Sequence, residues 1–132
     1  MTVGVSTVNT ANAWLNCIRA SGATRTVVAG TYVQLHTADP GASGTTSVSV
    51  GDATRKTVAQ NAASSGSITI SGTAGPWTNG GSSETITHVS VWDAASSGNF
   101  LYSAALTASQ AWASGNTFTL NSLTVSIAPL AV

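Results

Sequence analysis

The spacing of apolar positions along this chain changes once. In residues 7–20, TVNTANAWLNCIRA, Val8, Ala11, Trp14, Leu15 and Ile18 recur at three- and four-residue intervals and form one stripe of an α-helix. Ser6 or Thr7 can cap the first turn and Gly22 follows the last, so the pattern predicts a helix over 7–20. A helix this short is marginal alone in water, and its stripe must dock on the chain's own sheet or on a neighbouring subunit. Beyond residue 30 the period becomes two. In TYVQLHT, Val33 and Leu35 alternate with Tyr32, Gln34 and His36, as in a half-buried strand. The turn chemistry of Asp-Pro-Gly then breaks the pattern, and 38–54 reads as a long surface loop with room for a short strand at SVSV. RKTVAQNA and GSITISG read as strands, and TAGPWTNGGSS as a loop holding Trp77 beside Pro76.

Residues 84–106, ETITHVSVWDAASSGNFLYSAAL, form a hairpin in this reading. Ile86, His88, Ser90 and Trp92 share one face of its first strand, and Thr85, Thr87, Val89 and Val91 the other. Apolar residues on both faces suit a central strand covered on both sides. In NTFTLNSLTVSIAPL, Phe118 and Leu120 fall on even positions but Leu123, Val125 and Ile127 on odd ones, which places a bulge or bend at Asn121–Ser122.

Short strands separated by turn signals, with a single helix, predict a mainly β fold: one antiparallel, jelly-roll-like β-sandwich with a short N-terminal helix. The 132 residues make one domain, with an arm at 1–6, the helix at 7–20 and the sandwich at 30–128. Leu35, Ile86, Val89, Val91, Leu106 and Leu120 are its expected core.

Composition changes the picture in one respect. Charged residues are only 6% of the chain, Ser and Thr occupy 39 positions, and four basic residues (Arg19, Arg25, Arg55, Lys56) balance four acidic ones (Asp39, Asp52, Asp93, Glu84). No basic stripe is available for phosphates, so nucleic acid is not an expected partner. Zero net charge gives little colloidal repulsion and favours association with other protein. Forty-two per cent hydrophobic residues argue against disorder. Cys17 has no partner for an internal disulfide and is expected to be a buried, inert thiol of the helix. No signal-peptide pattern and no membrane-spanning run are seen, which predicts synthesis in the cytoplasm and no membrane partner.

Candidate chemistry is thin. His36 and Asp39 lie three apart and could orient a general base, but no third group accompanies them, and Asp39 has a sufficient role in its turn. His88, alternating with Ile86 and Trp92, is expected to be packed and hydrogen-bonded. Two histidines, one cysteine and four scattered acids match no zinc or calcium spacing. No enzyme, cofactor or metal is therefore predicted. Among the tryptophans, Trp77 is the candidate exposed contact, able to stack on a sugar; Val3 and Val5, alternating with small polar residues in MTVGVSTV, could add as a strand to a neighbour's sheet edge.

YVQLHTADPG, ATRKTV, ITHVSVWDAASSGNFLYSAALT and GNTFTLNSLTVSI, in this order over residues 30–128 with AWLNCIR ahead of them, resemble a group of small β-rich virion proteins of tailed phages, especially phages of actinobacteria. That resemblance implies a non-enzymatic virion structural protein. Its members are described as capsid-associated, minor tail or tail fibre proteins. Compactness and the lack of heptads or collagen-like triplets favour a capsid decoration protein bound to the major capsid protein on the outer shell, for which the resemblance implies a homotrimer. The alternative is a tail fibre or minor tail protein that binds host-surface carbohydrate.

Overall fold

The computed structural model describes residues 3–18 and 29–128; Arg19 and Ala20, the last positions of the predicted helix, and its stop at Gly22 lie outside them. The helix starts where its capping chemistry allows, with Ser6 Oγ accepting the Asn9 N–H at 3.3 Å. Its first turn is wider than an α-helical turn. The Ala11 N–H donates to the Ser6 carbonyl at 2.9 Å, making Thr7–Ala11 a π-turn, and α1 proper spans Asn12–Ile18. The extra residue in that turn breaks the 3.6-residue phase on which the stripe was counted.

Among the described residues nine strands follow: β1 Tyr32–His36, β2 Lys56–Thr57, β3 Ala59–Gln60, β4 Ser67–Ser71, β5 Ala74–Thr78, β6 Glu84–Trp92, β7 Phe100–Trp112, β8 Thr117–Leu120 and β9 Thr124–Ser126. They pair antiparallel in three groups, β2-β1-β6-β7, β3-β4-β9 and β5-β8. The outcome is the β-sandwich expected from the alternation. RKTVAQNA serves two sheets, pairing with β1 at Lys56–Thr57 and with β4 at Ala59–Gln60, and crossing between them at the buried Val58.

The hairpin β6–β7 is the spine. β6 lies between β1 and β7, and Val89 to Trp92 are all buried, as both-sided apolarity predicts. Leu35 opposes Val89 and Val33 opposes Val91, and these four side chains enter the core with Ile70, Trp77, Trp112 and Leu120. Ile86 joins the same cluster, although strict alternation would set it with His88 on the other face. The register of β6 against β7 shifts between those two residues, which is where the phase reverses. Leu106, expected inside, is only half-buried, because it lies in the part of β7 looped out by this shift. The predicted break near Asn121–Ser122 separates β8 from β9.

One segment departs from its pattern. TAGPWTNGGSS is not a loop: Ala74–Thr78 form β5, paired with β8, and the register shift between Ala74 and Trp77 accommodates Gly75 and Pro76. Gly75 is required there. Its φ is +110°, and a Cβ would stand 2.8 Å from the Trp77 ring.

Candidate functional site

Two places bring chemistry-bearing residues together: the outer face of the large sheet, and the N-terminal segment along its β7 edge. On the first, Gln34, His36, Ser90 and Trp92 project from β1 and β6 away from the core valines. The 37–55 loop covers them, with Pro40, Gly44 and Ser49 buried within it. Gly44 has φ +72°, and a Cβ there would run into the Phe100 ring, so the loop backbone rests directly on that ring.

Beneath this cover runs a chain of hydrogen bonds. His36 Nδ1 lies 2.8 Å from the Thr46 carbonyl, which can only accept, so Nδ1 carries the proton. Nε2 then accepts from the Ser90 hydroxyl at 2.7 Å, and Ser90 Oγ accepts the Trp92 indole N–H at 2.7 Å. The Arg55 guanidinium stacks 3.5 Å from the Trp92 ring centre and donates to the carbonyls of Ala94 and Ser97. Burial holds the His36 imidazole below its ordinary value; the Thr46 carbonyl opposes this, and electrostatic repulsion from the nearby His88 and Arg55 side chains reinforces it.

A serine hydroxyl bonded to histidine Nε2 is the pairing of a nucleophile and its base. Here His36 and Ser90 are both 0% exposed, and the serine oxygen also holds the indole proton. No substrate atom can approach, and the pair acts as a clasp between β1, β6 and the loop. Asp39 takes no part. Its Oδ1 accepts the Gly41 N–H at 2.8 Å, the turn role expected for it.

The other acids are held in the same way. Asp52 accepts from Thr54 and pairs with Lys56 at 3.5 Å. Burial works to raise its carboxyl, but the Thr54 hydrogen bonds and the lysine outweigh it and keep the group below its ordinary value. Glu84 accepts the Ser49 hydroxyl and the N–H groups of Val50 and Gly51; Asp93 accepts from the Asn99 backbone and side chain, closing the β6–β7 turn. All four carboxylates of the chain thus close loops. Among the described residues, no three His, Cys, Asp or Glu side chains converge as metal ligands.

Trp77, the candidate exposed contact, is instead 0% exposed. Its indole N–H donates to the Thr54 carbonyl at 2.9 Å and its ring tilts against Phe118, so it presents no face to a sugar or a partner. His88 is half-buried and bonded to the Thr87 hydroxyl at 2.7 Å.

Val3 and Val5 also find a different place. The strand they were expected to add to a neighbour is added to this chain's own β7: Val5 bridges Tyr102, Ser6 N–H donates to the Leu101 carbonyl at 2.7 Å, and the Ser103 N–H donates to Gly4 at 2.9 Å. The π-turn continues along the same edge with side chains. Asn9 Nδ2 donates to the Phe100 carbonyl at 2.9 Å and Thr10 Oγ1 to the Leu101 carbonyl at 3.0 Å. Polar residues therefore fasten the N-terminal element, and the predicted stripe faces outward. No residue of α1 is buried, and Cys17, expected inside, is exposed.

A family model described as Podophage GP4 fiber I protein gp80 matches residues 4–128, nearly the whole chain. The chain belongs to this gp80 family. The match begins at the residue whose carbonyl caps the β7 edge and extends past β9, so the N-terminal element and the sandwich are one gp80 unit. A comparison with curated proteins found no match.

Proposed function

We propose that this chain is a non-enzymatic structural subunit of a phage virion, located in a tail fibre. The match to the gp80 fibre family over residues 4–128 carries the reading and favours the fibre over the capsid shell. The geometry suits it: histidine, serine and all four carboxylates are engaged in holding loops and strands, leaving uncharged Ser/Thr-rich surfaces for neighbouring subunits. A sugar-binding role loses the residue proposed for it, because Trp77 is inside the core.

The test is copy number by quantitative mass spectrometry of purified virions, with position from a particle reconstruction. Few copies, at the tail, are expected. Hundreds of copies over the shell would overturn the fibre assignment and establish the decoration reading.

A further inference from the structure

We propose that the outward stripe of the N-terminal helix is the surface through which this chain associates with a second copy of itself. The orientation of the helix is the starting observation. Asn9 and Thr10 face the β7 edge and satisfy its carbonyls, whereas Val8, Trp14, Leu15 and Ile18 are left 76%, 44%, 62% and 79% exposed. An amphipathic helix that serves only its own domain turns its apolar side inward. This one turns no side inward: every residue of α1 is exposed, polar and apolar alike, and the hydrogen bonds of Asn9 and Thr10 tether it to β7 from one end.

The size and chemistry of the surface select the occupant. Four large side chains open to this degree expose on the order of 500 Å², the upper range for an apolar patch on a monomer. Val8 also lines an open groove of about 740 Å³ with Val3, Trp92 and Phe100, between the N-terminal segment and the 41–45 loop. The groove adjoins the exposed helix along the N-terminal element, and together they approach the roughly 800 Å² per partner of an ordinary specific interface. Residues 3–18 contain no charged side chain. A partner must then match an apolar, uncharged strip and has no ion to pair with. The same strip on a second copy is such a surface, and no like charges oppose the approach. This inference rests on the chemistry of the chain itself, so it does not depend on the tail assignment.

Sedimentation velocity of the full chain, from about 1 to about 100 µM, tests it by mass action. The wild type is expected to form oligomers as concentration rises. Leu15→Glu and Ile18→Glu should each weaken association by at least about tenfold. Because α1 buries nothing, both variants should keep the wild-type circular dichroism and, when dilute, its melting temperature. Cys17, the only thiol, supplies a second readout: a short bismaleimide should join two copies of the wild type and fail with Leu15→Glu. A wild type that stays monomeric at 100 µM overturns the proposal, as does association that both variants leave undiminished. A virion reconstruction that moved the chain to the shell would refute the fibre reading without touching this result.

Discussion

Strand β6 and helix α1 carry comparable apolar patterns, yet one is enclosed and the other stands open. From Val89 to Trp92, β6 has no accessible side chain; α1 has no buried one. Backbone hydrogen bonding accounts for the difference. A strand must find N–H and C=O partners on both sides, so β6 is drawn between β1 and β7, and the covers of that sheet enclose its side chains. A helix satisfies its own backbone and can be tethered at one end. Here the tether is a π-turn, Ser6, Asn9 and Thr10. Apolar periodicity thus says that a face will be covered, while the polar residues at the element's end decide where that face points.

Placing one charge in each region sharpens this contrast most. Val91→Asp buries an unpaired carboxylate at a fully enclosed core position and should cost on the order of 5 kcal/mol, leaving little soluble folded protein. Leu15→Asp should change the unfolding free energy of the dilute chain, measured by urea denaturation, by no more than about 0.5 kcal/mol. An equal loss in both would break the comparison. Next come the tryptophans. Trp77→Ala should cost about 3–5 kcal/mol through the cavity left beside Phe118, and Trp14→Ala close to nothing under the same conditions.

The polar layer gives smaller effects. Ser90→Ala leaves His36 Nε2 and the Trp92 N–H without partners in a sealed site, a cost of about 2 kcal/mol by chemical denaturation, with loosening of the 37–55 loop under limited proteolysis. Acid is the mildest perturbation. Burial depresses His36, so the unfolded chain binds a proton at a pH where the folded chain does not. Stability is then complete above the ordinary value of 6.5 and declines as pH falls through it toward the folded-state value. His36→Gln, though less stable overall, should flatten this part of the pH–stability curve; an unchanged slope would remove His36 as its cause.

Much of the fold was legible because alternation is a local property. TYVQLHT, the Val89–Val91 pair, GSITIS and the break near Asn121 each declare their strand, and Leu35, Ile86, Val89, Val91 and Leu120 are core residues as expected. Trp77 was hidden by its neighbours. Gly and Pro ordinarily mark a loop, and only the register shift in β5–β8 lets them sit within a strand. The clasp from His36 to Ser90 spans 54 residues and becomes visible only when β1 and β6 are paired. A signal was present: both strands carry Val or Leu on one face and Gln, Ser or His on the other, the mark of a buried polar layer. The helix stripe was legible as well, but its outward turn depends on Asn9 and Thr10 meeting β7 carbonyls, which no periodicity reports.

The attachment of the N-terminal segment to β7 also sets an order in time. Gly4 and Ser103 are 99 residues apart, and Thr10 and Leu101 are 91 apart. A ribosome adding about 5–20 residues per second makes the segment roughly 5–20 s before the edge that receives it exists. During that interval the uncharged apolar segment has no β7 edge to bind, and on neighbouring ribosomes of one messenger several such segments are held close together. Long-range closure of this kind is slow even in a finished chain. In the nascent one, the apolar segment stays unfastened until its own β7 has been made.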